Sequence, residues 1–216
     1  MDLPKGFHKE VIEARENRAV DFTDNSLEKS VAISPLKPGG SNFKTHELIK
    51  KTPWKYAYRP SFGGILFAGI FVIVGLIVII ISLSVISTTP SNWIMFMFGA
   101  VFSTTGSLIY YFSAMPRVFD KQLGLYYKTY KVNPSKRDEN SKKQFPLKSI
   151  IAIQVIGETI SSKNGSYGSF ELNLVLEDGS RKNVVDHGNL KSIIDDAHVL
   201  SDFLNVPIWH AETPKS

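Results

Sequence analysis

The chain has 216 residues, a formal net charge of +5 and a mean hydropathy close to zero, as expected for one soluble domain. It contains no cysteine, which excludes a disulfide framework, a thiolate nucleophile, a cysteine-based zinc site and cysteine-bound haem or iron–sulfur centres. The charge is unevenly distributed, however. No Asp, Glu, Lys or Arg occurs between Arg59 and Arg117, although about a quarter of the residues in a typical soluble domain are charged.

Residues 1–41 are polar, rich in charged side chains and end in "SPLKPGG". This composition predicts a flexible cytoplasmic tail. In residues 42–59, Trp54, Tyr56 and Tyr58 alternate with Lys55, Ala57 and Arg59, as expected for a β-hairpin.

Residues 60–113 contain two apolar stretches, 62–86 and 93–112, each long enough to cross a bilayer as a helix. Between them, Ser87 to Asn92 reads "STTPSN", which favours a polar turn. The pattern predicts a transmembrane helical hairpin. No ionisable residue lies within either stretch, which argues against an ion path formed by this chain alone.

The flanks of the hairpin carry its positive charge, whereas the turn carries none. The positive-inside rule therefore predicts a multi-pass protein of the cytoplasmic (inner) membrane with both termini in the cytoplasm. Aromatic residues at the span ends fit the belts found at membrane surfaces; they are Trp54, Tyr56, Tyr58, Trp93, Tyr110, Tyr111 and Phe112.

Small residues recur along one face of each span and allow close helix packing. They are Gly64, Ala68, Gly75 and Ser82 in the first span, and Gly99, Ser103 and Gly106 in the second. The simplest interpretation is that the two helices pack on each other. A seam between copies in a homo-oligomer is the alternative.

Residues 114–210 change to the period-two pattern of strands, and residues 211–216 form a short tail. Two short strands are predicted in "RVFDKQLGLYYKTYK" and a longer one in "PLKSIIAIQVIGETI", with Gly157 as a bulge. "SFELNLVLEDGSRKNVVD" predicts a hairpin that turns at Asp178-Gly179, with Glu171 and Asn173 on the polar face. An amphipathic helix follows, with Asn189 as its N-cap and Pro207 beyond its end.

Two strands before the membrane hairpin and five after it, closed by one helix, have the order of a pleckstrin-homology (PH)-type fold. The "FD…LG" turn, the "PLKSI" strand entry and "ELNLVLEDGSR" before a terminal helix resemble bacterial two-span membrane proteins with PH-like cytoplasmic domains. The resemblance implies a membrane helical hairpin plus an α+β, PH-like antiparallel β-barrel or sheet with one C-terminal helix. It implies binding of a protein, a peptide or an anionic lipid in a scaffolding, assembly or regulatory role, and it carries over no ligand residues.

One stretch after the second span is strongly basic, with only Asp138 and Glu139 as acids. Its basic residues are Lys128, Lys131, Lys136, Arg137, Lys142, Lys143 and Lys148. Beside the membrane, each would attract anionic lipid by about 1 kcal/mol. The alternative interpretation is a solvated loop whose charge only reinforces the topology. Nucleic acid is disfavoured, because stacking aromatics are not interleaved with the charges.

His187, Asp195, Asp196, His198 and His210 raise the question of a metal site, but no recognisable ligand motif accompanies them. A surface ion pair and a turn histidine are the favoured interpretation. No serine lies in a nucleophile motif, and no glycine-rich phosphate loop occurs.

The sequence therefore predicts a non-enzymatic membrane protein without cofactor or metal. Its PH-like domain binds a protein, peptide or anionic lipid, either in the groove between the last strand and the terminal helix or at the basic loop. The alternative is an immunity or accessory subunit that acts through its transmembrane helices on a membrane-inserted toxin or transporter.

Overall fold

The computed structural model describes residues 31–85, 92–135, 141, 143–162 and 165–212. In these residues it contains a helical hairpin, two β-sheets and a C-terminal helix, which confirms the coarse fold class expected from the sequence. The helices are α1 (Phe62–Val85), α2 (Asn92–Ser113) and α3 (Leu190–Leu204). The strands are β1 (His46–Thr52), β2 (Lys55–Pro60), β3 (Arg117–Asp120), β4 (Leu125–Lys128), β5 (Gln144–Pro146), β6 (Ile150–Ser162), β7 (Gly165–Leu176), β8 (Arg181–His187) and β9 (Ile208–Glu212).

The first sheet has five antiparallel strands in chain order, β1 to β5. The helical hairpin is inserted between β2 and β3, yet these two strands pair directly, from Lys55 opposite Asp120 to Tyr58 opposite Arg117. The two ends of the inserted hairpin are therefore held side by side by backbone hydrogen bonds of the sheet.

The second sheet has the order β8-β7-β6-β9. The described residues thus contain nine strands, whereas the sequence predicted seven, because neither β5 nor β9 has a periodic pattern of its own. β9 runs parallel to β6, and Gly157 pairs in regular register with Phe170. The prediction of a bulge at Gly157 is therefore wrong; the irregularities lie between Ile150 and Ala152 and between Leu172 and Asn173.

The main core lies between the inner faces of the two sheets and α3. Phe119, Tyr126 and Phe145 lie in one row across the first sheet, with tilted rings whose centroids are 4.9 Å apart at each step. They pack with Leu172 and Leu174 of the second sheet, among others. The Asn189 side chain accepts a hydrogen bond from the Ser192 amide, so α3 begins with the predicted N-cap.

Both α1 and α2 are long and apolar enough to cross a membrane. Their outward side chains are large, apolar and exposed, for example Ile73, Ile80 and Val101. A continuous apolar surface of this size is not stable in water, so it requires lipid or another apolar partner. The predicted turn between the helices falls on residues 87–92, of which the structure describes only Asn92.

Residues 31–41, predicted to be part of a flexible tail, lie across the outer face of the second sheet. The Glu171 carboxylate accepts the amides of Leu36 and Lys37 at 2.9 and 2.5 Å, and Ser169 Oγ accepts the amide of Ser41 at 3.0 Å. Val31 is buried against Ala152 and Val175. We call residues 31–41 the N-terminal strap; residues 1–30 lie outside the described part.

Candidate functional site

The aromatic residues of β2 do not line the hairpin as the sequence suggested. Trp54 lies in the β1–β2 turn, where its carbonyl accepts the Lys121 amide, and six strand residues separate it from α1. Tyr56 packs edge-on against Phe203 of α3, and Tyr58 is buried in the core. The membrane-belt assignment of these three residues is therefore wrong, because β2 runs away from the helices rather than along them.

Aromatic residues do gather at the C-terminal end of α2. Tyr111 and Tyr130 have ring centroids 5.0 Å apart, and the Tyr130 hydroxyl donates to the Tyr111 carbonyl at 2.7 Å. Tyr110, Tyr111, Phe112 and Tyr130 are all about half exposed. Tyrosine combines an apolar ring with a polar hydroxyl, and aromatic residues of this kind are common at the boundary between lipid and water.

Polar side chains of β1 and the α1 N-terminus join the hairpin to the β domain. Ser61 caps α1 by accepting the Gly64 amide at 3.1 Å, and its hydroxyl donates to the Lys44 carbonyl. The Nε2 of His46 donates to the carbonyl of Ser113, the last residue of α2, at 3.0 Å. Both helices are thus hydrogen-bonded to residues at the start of β1.

Two buried histidines near this joint stay neutral at physiological pH. Burial and then the charge of Arg117 lower the pKa of His46 to about 3. Burial and then Lys44 lower the pKa of His187, which is 0% exposed, to about 4. Burial raises the pKa of Asp196 to about 6, although Tyr58, which faces its carboxyl, acts in the opposite direction.

The two histidines predict that the protein is destabilised by acid, and Asp196 opposes this effect. The unfolded chain, with histidine pKa values of 6.5, binds more protons than the folded protein below pH 7. Lowering the pH from 7 to 5 then costs about 2 kcal/mol of unfolding free energy per histidine. Protonation of Asp196 in the folded state returns about 1 kcal/mol, so we expect a net loss of about 2 to 3 kcal/mol.

Chemical denaturation of the detergent-solubilised protein at pH 7 and pH 5 measures this difference. His187→Gln should remove about half of the histidine contribution, because only one ring then takes up a proton. Equal stability of the wild-type protein at the two pH values would contradict the assignment.

A row of polar side chains crosses the inner face of the first sheet next to the joint. Tyr58 of β2 is the direct cross-strand partner of Arg117 in β3, and Arg117 is the partner of Lys128 in β4. Cross-strand partners point to the same face of a sheet. We call Tyr58, Arg117 and Lys128 the polar row.

Burial changes the proton affinity of both cations in the polar row. Burial, and after it the charge of Arg117, lowers the pKa of Lys128 to about 7. The pKa of Arg117 is also lowered, chiefly by burial. Lys128 therefore differs from the surface cation that its place in the basic stretch predicted: its Nζ points to the Asn183 carbonyl at 3.5 Å.

The other residues of the predicted basic surface divide into two groups. Lys131, Lys143 and Lys148 are exposed, as a lipid-contacting or solvated surface requires. Lys136, Arg137 and Lys142 lie outside the described residues. Lys128 does not belong to this surface, because the alternation of β4 turns it inward together with Tyr126.

The small residues of the two helices meet inside the hairpin. A Cβ placed on Gly75 would lie 2.5 Å from the Ser103 amide nitrogen and 2.7 Å from the Gly99 carbonyl oxygen. A Cβ on Gly106 would lie 2.8 Å from the Ala68 carbonyl oxygen. The Ser82 hydroxyl donates to the Asn92 carbonyl.

Gly64 does not take part in this helix contact. A Cβ placed on Gly64 would lie 3.0 Å from the Thr45 carbonyl oxygen of the β domain, its closest neighbour. Gly69, which lies outside the predicted stripe, faces open space. The helix-packing face therefore extends from Ala68 to Ser82 in α1, and Gly64 belongs to the joint.

Within the described ranges, no group of three or more His, Asp or Glu side chains could hold a metal ion. Asp195 forms an exposed salt bridge with Lys191 at 2.7 Å, one helical turn away. His187 is buried beside the joint, unlike the turn histidine that the sequence suggested. His210 is a residue of strand β9.

The sequence did not reveal that Arg117 is buried in the polar row; it was counted only as a charge that flanks the second span. The alternation in "RVFD" was a usable signal, since Arg117 and the core residue Phe119 are two positions apart and must share a face. No family model matches the chain, and no curated protein or solved structure matches it.

Proposed function

We propose that the chain is an integral membrane protein whose cytoplasmic β domain is a non-enzymatic binding module. In this proposal α1 and α2 cross the membrane, and both termini and the domain lie in the cytoplasm. Two observations support it. The helices expose a large apolar surface, and every Lys and Arg lies outside residues 60–116, which include both helices and the turn between them. The two sheets and terminal helix are compatible with a PH-like domain of the kind that the sequence resembles.

The pairing of β2 with β3 is the observation on which the proposal rests. A domain joined to a membrane by one flexible linker samples many orientations, whereas this one is tied to both ends of the hairpin. Its surfaces therefore keep a defined direction relative to the membrane. Such an attachment suits a scaffold that presents one binding surface to a protein, a peptide or an anionic lipid headgroup.

The exposed lysines offer a lipid-facing surface in this arrangement. Lys131 follows Tyr130, which contacts the end of α2, so its charge lies close to the proposed membrane surface. Each such lysine would contribute about 1 kcal/mol of attraction to anionic lipid.

The alternative, an immunity or accessory subunit acting through its helices, has less support. Gly75, Gly99 and Gly106 face the partner helix of the same chain, so the same surfaces are not available to another membrane protein. The same argument disfavours a homo-oligomer seam along this stripe.

Cysteine labelling tests the proposed topology directly, because the chain has no cysteine of its own. A membrane-impermeant maleimide should label Thr89→Cys in intact cells. It should label Ser41→Cys and Ser166→Cys only after the cells are opened. Labelling of Ser166→Cys in intact cells would place the domain on the outer side and overturn the proposal.

A further inference from the structure

Two cations of the polar row oppose each other without an adequate counter-ion. Arg117 and Lys128 are direct cross-strand partners, and like charges in this position destabilise a sheet. Arg117 is only 8% exposed. A buried guanidinium without a partner lowers the free energy of unfolding by several kcal/mol. Groups of this kind are rare in folded proteins and often mark a ligand or ion site.

Several donors in and beside the row have no partner in the described part of the chain. Arg117 Nε and Nη1 have no hydrogen-bond partner among the described residues, and the same holds for the Tyr126 hydroxyl. The Tyr58 hydroxyl faces the Asp196 carboxyl, so it has an acceptor within the domain. Tyr126 lies two residues before Lys128 and therefore on the same face of β4. The Tyr58 and Tyr126 hydroxyls both interact electrostatically with Arg117, which is the cross-strand partner of Tyr58.

The carboxylate that acts on this pair does not balance its charge. Asp186 interacts electrostatically with Arg117 and Lys128, but its Oδ2 also lies 4.0 Å from Nζ of Lys37 in the N-terminal strap. Its Oδ1 accepts a hydrogen bond from Asn183 at 2.6 Å. One carboxylate thus interacts with three cationic side chains, and burial followed by the charges of Arg117 and Lys37 lowers the pKa of Lys128.

We propose that Arg117 and Lys128 together bind one phosphate group, with the Tyr126 hydroxyl as an additional donor. A phosphate offers three or more acceptor oxygens and up to two negative charges, which matches two cations and one hydroxyl. The planar guanidinium is suited to bidentate contact with such a group. This inference deepens the proposed function, on which it rests, by assigning a ligand class and a site.

The phosphate has two sources, a lipid headgroup or a soluble phosphate compound. The polar row lies at the hairpin end of the domain, since Tyr58 precedes the start of α1 by four residues and Arg117 follows the end of α2 by four. This position is adjacent to the headgroup region in the proposed topology. It is also next to the N-terminal strap, through Lys37, and thus to the aqueous side of the domain.

Binding of inorganic phosphate to the full chain in a phosphate-free maltoside detergent tests the site without assuming any topology. Isothermal titration calorimetry should find one phosphate bound per chain. Lys128→Gln should weaken binding by about tenfold or more, as expected for loss of one charge-assisted contact. Arg117→Lys, which keeps the charge but loses the planar fork, should also weaken it. The exposed Lys131→Gln is the matched control and should bind as the wild type does.

Native mass spectrometry of protein purified from membranes distinguishes the two sources. A phosphatidylglycerol molecule retained by wild type and Lys131→Gln, but lost from Lys128→Gln and Arg117→Lys, assigns the site to a headgroup. Phosphate binding without retained lipid assigns it to a soluble compound. The proposal is overturned if wild type neither binds phosphate nor retains lipid, or if the two row variants behave as Lys131→Gln does. Failure of the cysteine-labelling test would instead reject the topology and leave phosphate binding intact.

Discussion

Gly75→Leu should disrupt the helical hairpin and lower the unfolding free energy by about 3 kcal/mol or more. The first side-chain carbon alone would approach the Ser103 nitrogen to 2.5 Å and the Gly99 carbonyl oxygen to 2.7 Å. Both obstacles are backbone atoms of α2, so no side-chain rotation can relieve the overlap. The helices must then separate and lose the contacts made along their shared face.

Gly69→Leu is the matched control, since it adds the same side chain in the same helix at a glycine with nothing within 4 Å. Thermal unfolding and protease resistance in detergent should separate the two variants, with Gly69→Leu close to wild type. Equal stability of the two variants would show that α1 and α2 do not pack at Gly75.

Glu171→Ala should release the N-terminal strap, with a local cost of about 4 kcal/mol. The Glu171 side chain is 3% exposed, and its two carboxylate oxygens accept the amides of Leu36 and Lys37. Its Oε2 also accepts from the side chain of Asn173. Removing the carboxylate leaves the Leu36 and Lys37 amides without an acceptor. These amides can then form hydrogen bonds with water only if the strap moves away from the sheet.

Hydrogen–deuterium exchange of the Leu36 and Lys37 amides measures the release. Exchange of these two amides should accelerate by at least about a hundredfold in Glu171→Ala, as a change of several kcal/mol in local opening requires. Glu158→Ala is the control, because Glu158 accepts a single, longer and exposed bond of 3.2 Å from the Gly39 amide. Unchanged exchange in Glu171→Ala would show that the strap is held by other contacts.

The strap covers polar residues on the outer face of the second sheet. The alternation in β7 correctly separates Leu172 and Leu174 from Glu171 and Asn173, which it places on the polar face. In the structure both polar residues are buried beneath residues 31–41. A period-two pattern identifies two faces of a strand; it does not identify what covers the polar face.

The proposed phosphate site depends on the same distinction. The row of Tyr58, Arg117 and Lys128 forms because two strands separated by the whole helical hairpin pair in one register. A register shifted by one residue would turn Arg117 to the outside of the sheet and leave only a flanking charge. The basic stretch identified from the sequence contained Lys128 but not the residue that it opposes.

The sequence by itself determined the two long apolar helices, the short turn signals and the amphipathic helix α3. These follow from local periodicity, uncharged length and capping residues, all of which act over one or two helical turns. Only the tertiary structure decided the parallel addition of β9, the strap and the polar row. Each of these depends on hydrogen bonds or register between residues far apart in the chain, such as Lys37 with Glu171, for which local pattern carries no information.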